Sequence, residues 1–238
     1  MIIVSNQQQA TSNQHQLEKQ LNQVTTTSDG SHTIYVPEMD EHYHSVYGAV
    51  QESSFVFIKN GFDFCKADPV SILEVGFGTG LNALLTAMKS ISGSREVNYT
   101  TLEKYPLDNE TINALNYHIY TGKEGSELFR IIHSSQWNIY VNICRNFNLK
   151  KVRMDFTREN PSGMYDLIYF DAFGPDKQPE MWTSDKFSVI SSVTNRNGIL
   201  VTYSAKGEVK RSLKACGFDV TLLPGPPGKR QMIRAVKI

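Results

Sequence analysis

The chain lacks several features that would place it in a common class. Its 238 residues contain three cysteines, Cys65, Cys144 and Cys216, and none belongs to a CxxC pair. A disulfide framework and a structural zinc site are therefore not expected, whereas a reduced, cytoplasmic setting is. No segment approaches the roughly 20 apolar residues that a membrane-spanning helix needs. The N-terminus also lacks a basic segment followed by an apolar one, so no secretion signal is expected.

Neither sign of charge is in excess, because 24 Lys and Arg residues balance 24 Asp and Glu residues. The distribution is uneven, however, since residues 206–238 carry eight basic side chains and two acidic ones. A basic C-terminal face can contact nucleic-acid phosphates. On charge alone, a solvated helix and strand surface explains it equally well. The six histidines show no metal-ligand spacing with carboxylates, so no metal is expected.

Two parts of the chain differ in pattern. Residues 1–23 are rich in Gln and Asn, which predicts a disordered head. Residues 24–238 are predicted to form a single domain. Within it, residues 24–69 comprise a β-hairpin over Thr25–Val36 and a helix over residues 41–61, and residues 70–238 form the core.

Strands and helices alternate along the core, which predicts a parallel α/β sheet covered on both faces. Seven strands are predicted: Val70–Val75, Val97–Glu103, Lys151–Asp155, Asp166–Asp171, Gly198–Tyr203, Asp219–Leu223 and Gln231–Val236. The helices between them are predicted at Leu81–Ile91, Pro106–Tyr117, Ser126–His133, Pro179–Val193 and Gly207–Cys216. A short loop joins the last two strands, so the last strand must be antiparallel.

A glycine loop follows the first core strand. Gly76, Gly78 and Gly80 stand at every second position and lead directly into a helix. Glycines let the backbone pass close to a ligand, and the helix N-terminus offers free N–H groups and a partial positive charge. The sequence therefore predicts a nucleotide-type cofactor site at the carboxyl end of this strand. A tight turn without a ligand is the alternative.

Two common nucleotide motifs do not fit this loop. The dinucleotide fingerprint needs a third glycine where Leu81 stands, and no Gly-Lys-Ser/Thr follows the loop. The run Glu-x-Gly-x-Gly-x-Gly instead resembles the first motif of class I S-adenosylmethionine-dependent methyltransferases, which have a Rossmann-like fold. The resemblance implies S-adenosylmethionine as the cofactor. The loop residues expected to bind it are Gly76, Phe77, Gly78, Thr79 and Gly80.

Four carboxylates lie at strand ends where they can contact a cofactor or a substrate. Glu103 can accept hydrogen bonds from both ribose hydroxyls, unless it is a surface glutamate. Asp155, with Phe156 beside it, can accept from an adenine amino group, although the preceding insert blurs the register. Glu74 either orients the cofactor's amino group or only supports the loop.

Asp171 follows the very apolar strand that should neighbour the first one, so it faces the place of a sulfonium methyl. Methyl transfer to nitrogen needs a neutral amine at near-attack distance, and a carboxylate can accept its N–H and aim its lone pair. We therefore predict that Asp171 is catalytic, the alternative being a structural turn cap. Substrate contacts are expected from Phe173, from Trp182 (stacked on a base or packed in the core), and from Lys229 and Arg230 on RNA phosphate.

Taken together, the motifs resemble one family. They are Asp29–Thr33, Tyr43–Ser53, Val56–Ile58, Glu74–Asn82, Asp171–Pro175 with Met181–Trp182, Thr202–Gly207 and Gly228–Arg230. This set is similar to the methyltransferase part of the bacterial bifunctional tRNA 5-methylaminomethyl-2-thiouridine enzymes, MnmC, and to their stand-alone form, MnmD. The resemblance implies methylation of 5-aminomethyl(-2-thio)uridine at the tRNA wobble position, with the carboxylate of Asp171 in the active site.

Two departures qualify the resemblance. The chain shows no second glycine fingerprint, so the oxidase half of the bifunctional proteins is not expected, and a separate enzyme would supply the aminomethyl group. The Gln- and Asn-rich head has no counterpart. Two other functions remain open from the sequence: a small-molecule amine methyltransferase and a catalytically idle RNA-binding module.

Overall fold

The computed structural model describes residues 22–238. The predicted disordered head, residues 1–23, lies outside this part of the chain except for Asn22 and Gln23. Gln23 is already the first residue of a strand. Within residues 22–238, no helix combines the length and the apolar character that crossing a membrane requires.

Eleven strands are formed by the described residues. They are β1 (Gln23–Thr26), β2 (His32–Val36), β3 (Glu41–His42), β4 (Val70–Val75), β5 (Val97–Glu103), β6 (Tyr140–Cys144), β7 (Phe147–Arg153), β8 (Tyr165–Phe170), β9 (Thr194–Thr202), β10 (Phe218–Pro224) and β11 (Gln231–Lys237). The α-helices are α1 (Ala49–Ser53), α2 (Leu81–Ser92), α3 (Asn109–Asn113), α4 (His118–Ser134), α5 (Ser184–Ser192) and α6 (Gly207–Ala215). A π-helix spans Ser54–Phe62 and a 3₁₀-helix spans Pro179–Trp182.

The N-terminal part contains the predicted hairpin. β1 pairs antiparallel with β2, and the short β3 adds a third strand beyond β2. The Asp29 carboxylate closes the turn by accepting hydrogen bonds from the Ser31 backbone N–H at 2.9 Å and from the Gln51 N–H at 3.1 Å. Because Gln51 belongs to α1, this side chain also ties the hairpin to the helix.

The helix predicted over residues 41–61 is shorter at its start. Residues 41 and 42 pair with β2, so helical structure begins only at Ala49 and continues as the π-helix to Phe62. The helix predicted over 106–117 is likewise reduced to α3, where the Asp108 side chain accepts from the Thr111 N–H at 2.7 Å.

The main sheet contains eight strands in the order β10-β11-β9-β8-β4-β5-β7-β6. β11 runs antiparallel between β9 and β10, which confirms the predicted antiparallel last strand. The predicted number of strands, seven, is wrong. β6 forms an antiparallel edge hairpin with β7, and Asn146 turns the chain between them with a φ of 66°. Asn tolerates this left-handed conformation, so Asn146 was an available turn signal.

Alternating side chains of the sheet pack on its two faces. Val70 and Ile72 belong to the core formed with the π-helix, α2 and α4, while Leu73 and Val75 belong to the core formed with α5 and α6. β4 pairs in parallel with β5 on one side and with β8 on the other. The strand order therefore reverses at β4, and a ligand crevice is expected beyond the carboxyl ends of these three strands.

Candidate active site

The glycine loop lies at the carboxyl end of β4 and is fixed to its neighbours on both sides. The backbone N–H groups of Gly76 and Phe77 both donate to the carbonyl of Leu102 in β5, at 3.1 Å. Gly76 has a φ of +95°, and a Cβ there would lie 2.6 Å from the carbonyl oxygen of Asp171. Only glycine fits this position, because the loop passes directly against the chain that leaves β8.

Glu103, the last residue of β5, supports the same loop. One carboxylate oxygen accepts from the Gly78 N–H at 3.0 Å and the other accepts from the Tyr105 N–H at 2.8 Å. Each carboxylate oxygen has capacity for a further hydrogen bond. The side chain also lines the adjoining cavity, so Glu103 retains free acceptor positions toward a ligand.

A cavity of about 970 Å³ opens beside this loop. Its walls include the glycine loop, the end of β5, the segment 154–157, Tyr43, His44 and the segment 171–173. This space has the size of a cofactor site, and its lining mixes apolar side chains with polar and charged ones. The narrow glycine cradle and the acceptor positions of Glu103 fit the methionine and ribose parts of S-adenosylmethionine.

The sequence predicts that Asp155 ends a strand. In the structure β7 ends at Arg153, and Asp155 lies in the following loop. One carboxylate oxygen accepts from the Thr157 N–H and hydroxyl, and the other pairs with the Lys104 ammonium at 2.9 Å. The Thr157 and Lys104 hydrogen bonds lower the pKa of Asp155 to about 2. Its carboxylate lines the cavity but shares its acceptor positions with these partners. Phe156 is buried against Phe170, so it belongs to the core.

Asp171 lies directly after β8 and lines the same cavity as Glu103. Its Oδ2 atom accepts from the Asn82 side-chain amide at 2.8 Å. Burial raises the pKa of the Asp171 carboxyl to about 7, and the nearby Glu52 carboxylate adds to this effect. Phe173 follows on the same wall, and its ring packs edge-on against Tyr43 with centroids 5.0 Å apart. Asp171 thus faces an aromatic compartment of the cavity.

Asn82, on the first turn of α2, joins two carboxyl groups. Its Nδ2 amide donates to Asp171 and, at 3.1 Å, to Oε1 of Glu74. Glu74 is fully buried within β4, where burial raises its pKa to about 8. Glu74 is not among the residues that line the cavity, which favours the second of the two roles that the sequence left open for it, support of the loop. Glu74 supports Asn82.

Gly80 and Thr79 complete the loop in different ways. Gly80 precedes α2 in the left-handed conformation, and the space of a Cβ there is filled by Phe77 and His133. Gly80 therefore closes the turn and lies behind the cavity wall. Thr79 lines the cavity, and its hydroxyl accepts from the Tyr117 phenol at 3.1 Å.

The loop is held from behind by a buried lysine. Lys151 of β7 is 1% exposed, and its ammonium donates to the carbonyl of His133 at 2.8 Å. The same ammonium lies 4.9 Å from the Trp137 ring centroid and 5.8 Å from that of Phe77. Burial lowers the pKa of Lys151 to about 8. Through Phe77 this contact fixes the loop in place.

The contact of Lys229 with RNA phosphate stays a prediction, and in the structure the Lys229 ammonium is engaged within the protein. It forms an ion pair with Glu52, which is 6% exposed, and it lies over the Tyr203 ring at 4.1 Å from the centroid. No sequence pattern indicates this pair, because 177 positions separate its members. Arg230 is exposed at the surface, as a phosphate contact requires.

Trp182 packs in the core, which is the second of the two roles that the sequence left open for it. The side chain is 5% exposed and packs edge-on against Phe170 with centroids 4.8 Å apart. Its indole N–H donates to the carbonyl of Phe173 at 2.7 Å. Trp182 therefore fixes the 171–175 turn from below and does not reach the cavity.

Sequence reasoning missed four side chains, of which three lie near Asp171 and the fourth, Tyr43, lines the same cavity. They are Asn82, Glu52, Tyr43 and Tyr203. Asn82 follows the glycine loop within the same motif, and Tyr43 and Glu52 belong to one N-terminal motif. Those motifs were the available signal, although nothing in their spacing indicates that these residues share a site with Asp171.

Comparisons with known proteins agree with this geometry. Residues 131–238 match a family described as S-adenosyl-L-methionine-dependent methyltransferase. The chain is 25% identical over 216 residues to the bifunctional protein MnmC of Paraburkholderia xenovorans, covering 84% of this chain and 33% of that protein. It is 30% identical over 223 residues to MnmC of Cupriavidus metallidurans, and this match covers 87% of this chain and 32% of that protein. The chain thus spans about a third of the length of these curated relatives.

Solved structures show the same similarity. MNMC2 from Aquifex aeolicus has a TM-score of 0.75 and 27% identity, and the match covers 92% of this chain and 70% of that one. Spermidine synthase from Thermotoga maritima, at 12% identity and a TM-score of 0.50, shares the fold alone. These findings confirm the class I fold, S-adenosylmethionine as the cofactor, methyl transfer as the reaction class, and the resemblance to the methyltransferase part of MnmC.

Proposed function

We propose that this chain, an S-adenosylmethionine-dependent methyltransferase similar to the methyltransferase part of MnmC, methylates the amino nitrogen of 5-aminomethyl(-2-thio)uridine at the tRNA wobble position. The product is 5-methylaminomethyluridine. One observation carries the proposal: the Asp171 carboxylate is held by Asn82 at the cavity wall beside the glycine loop, among aromatic side chains. A carboxylate in that place suits an amine as the methyl acceptor.

The cofactor, when bound, supplies an electrophilic methyl group on a sulfonium. The residues expected to hold it are Gly76, Phe77, Gly78 and Thr79, with Glu103 on its ribose and Asp155 toward its adenine. Glu103 has acceptor positions left after its bonds to the loop amides. Asp155 would contribute less, since Lys104 already occupies one of its oxygens.

Asp171 must prepare the amine. An alkylamine has a pKa near that of lysine, about 10.4, and is mostly protonated in water. The Asp171 carboxylate can accept an N–H bond, take the extra proton, and so leave the nitrogen lone pair free. With a pKa of about 7, this carboxyl can bind and release that proton near neutral pH. When Asp171 then releases this proton to solvent, its carboxylate charge is restored and can balance the positive charge that develops on nitrogen.

The substrate class depends on the relatives as well as on the site. The curated relatives carry the name tRNA 5-methylaminomethyl-2-thiouridine biosynthesis bifunctional protein MnmC, which supports tRNA as the substrate. The exposed Arg230 and the aromatic walls at Tyr43 and Phe173 suit a nucleotide. A separate enzyme that supplies the aminomethyl group is part of this proposal.

A methyltransferase of small amines is the second candidate. The observation that favours it is the pairing of Lys229 with Glu52, which removes one of the cations expected to bind RNA. An amine not carried on RNA would need no phosphate contact.

The experiment uses tRNA isolated from cells that cannot add this methyl group. The protein is incubated with that tRNA and labelled S-adenosylmethionine, and the tRNA is digested to nucleosides. We expect label in 5-methylaminomethyl(-2-thio)uridine alone. Label in another nucleoside would refute the assigned position, and transfer to free amines but not to tRNA would favour the second candidate.

A further inference from the structure

The ammonium of Lys229 lies between two groups that recognise alkylammonium ions. One is the carboxylate of Glu52, with which it forms an ion pair, and the other is the face of the Tyr203 ring, 4.1 Å from Nζ to the centroid. Charge-assisted hydrogen bonds and cation–π contacts are the two means by which proteins bind such cations. Together, Glu52 and Tyr203 form a cation site that already has an occupant.

The two partners of the ion pair are held very differently. Glu52 lies on α1 with its side chain 7% exposed, and its second oxygen accepts from the Ser45 N–H at 2.7 Å. The Lys229 side chain is 30% exposed and extends from the Pro- and Gly-rich loop between β10 and β11. The carboxylate is therefore the fixed part of the site, and the lysine is the part that can leave.

The pair lies at the boundary between two open spaces. Asp171, Ala172 and Phe173 line the cofactor cavity, whereas the next three residues, 174–176, line a second groove of about 440 Å³ together with Tyr203 and Lys229. Glu52 is near enough to Asp171 and Tyr203 to raise the pKa of both. A cation that replaces Lys229 would therefore enter from the groove and lie close to the catalytic carboxylate.

We propose that the protonated aminomethyl group of the substrate displaces the Lys229 ammonium from Glu52 and Tyr203, and that Glu52 then positions this amine beside Asp171. The inference rests on the proposed function, since it takes the methyl acceptor to be an alkylamine. Lys229 is then an internal competitor of the substrate. Before substrate binds, it neutralises a buried carboxylate that would otherwise be costly to leave unpaired.

The test measures binding of two anticodon stem-loops that differ only at the wobble base, one with 5-aminomethyluridine and one with uridine. Affinities are measured in the presence of S-adenosylhomocysteine, so no methyl is transferred. The quantity of interest is the ratio of the two affinities, because phosphate contacts affect both RNAs equally. The variants are Lys229→Met, which keeps the chain length without the charge, and Glu52→Gln.

We expect Lys229→Met to raise the preference for the aminomethyl stem-loop, since Glu52 loses its internal partner. Glu52→Gln should lower that preference about tenfold, the loss expected when one charge-assisted bond of about 1.4 kcal/mol is removed. S-adenosylhomocysteine affinity should stay the same in both variants. Thermal unfolding shows whether they fold, and Lys229→Gln replaces Lys229→Met if the latter does not.

An unchanged or reduced preference in the Lys229 variant would refute the displacement. A wild-type preference in Glu52→Gln would remove Glu52 from the amine site. Methylation of the aminomethyl stem-loop by the wild-type protein distinguishes failure of this inference from failure of the proposed function. If methylation occurs and the preferences do not change, only this inference fails; if no methylation occurs, the proposed function fails with it.

Discussion

Binding of S-adenosylmethionine at pH 7 should release a proton from Asp171. The carboxyl has a pKa of about 7 because it is buried and lies near Glu52, so about half of the molecules carry the proton at that pH. The cofactor brings a positive sulfonium into the cavity that Asp171 lines. A positive charge nearby favours the ionised carboxylate.

The size of the effect follows from this pKa. A neighbouring opposite charge lowers a carboxyl pKa by about 1–3 units, so a value of about 7 falls to about 6 or below. The protonated fraction at pH 7 then drops from about one half to about one tenth or less, and about 0.4–0.5 proton is released per cofactor bound. S-adenosylhomocysteine is an uncharged thioether at the same position and should release much less.

Calorimetric titration in buffers of different ionisation enthalpy counts these protons. The binding heat at pH 7, plotted against buffer enthalpy, has the number of released protons as its slope. Asp171→Asn is the matched variant, because the amide keeps the shape and still accepts from Asn82 but cannot release a proton. Glu74→Gln controls for the second raised carboxyl, whose pKa is about 8.

Three results would refute this reasoning. The first is that the wild-type protein releases no proton when it binds S-adenosylmethionine. The second is that S-adenosylhomocysteine binding releases as many protons as S-adenosylmethionine binding does. The third is that Asp171→Asn releases as many protons as the wild type. The last would assign the proton to another group.

Three further predictions concern the loop and its support. Gly78→Val should abolish cofactor binding in calorimetry, because a Cβ there would lie 2.9 Å from the Tyr43 ring, at a φ of +51°. Gly122→Val is the control for backbone strain: its φ is also positive, +66°, but no atom lies within 4 Å of a Cβ and the residue does not line the cavity, so the folded variant should bind the cofactor normally. Glu103→Gln should weaken S-adenosylmethionine by about 1–3 kcal/mol, and an unchanged dissociation constant would place the ribose elsewhere. The pKa of Lys151 falls to about 8 in the folded protein, so between pH 8 and 10.5 the folded state binds fewer protons at this residue than the unfolded state does. The free energy of unfolding should therefore rise with pH over this range, and the Lys151→Met variant should not show the rise.

Much of the cofactor site could be predicted because it is local in sequence. The apolar strand, the glycines at Gly76 and Gly78 and the helix start of α2 follow one another within 12 residues, and Glu103 ends the next strand. The parallel order of β4, β5 and β8 then brings Glu103 and Asp171 to the same crevice. Periodicity and connection length suffice for these inferences.

Other features of the site depend on contacts between segments that are distant in the sequence. The sequence around Lys229 predicts a phosphate ligand, and only the fold shows that its ammonium pairs with Glu52. The sequence is equally consistent with Trp182 stacking on a base and with Trp182 packing in the core. Its contact with Phe170 is visible only in the fold. Glu74 lies on the same face of β4 as the core residues Val70 and Ile72, so its side chain is buried with them. The edge strand β6 was missed because its turn at Asn146 lies inside a segment interpreted as an insert.

The most direct test of the central claim is single-turnover methyl transfer to the two anticodon stem-loops. We predict that the wild-type protein adds one methyl to the stem-loop with 5-aminomethyluridine, located by mass spectrometry on that nucleoside, and none to the stem-loop with uridine. Asp171→Asn should bind S-adenosylmethionine and transfer the methyl group far more slowly. Equal methylation of both stem-loops, or none of either by a protein that binds the cofactor, would contradict the account.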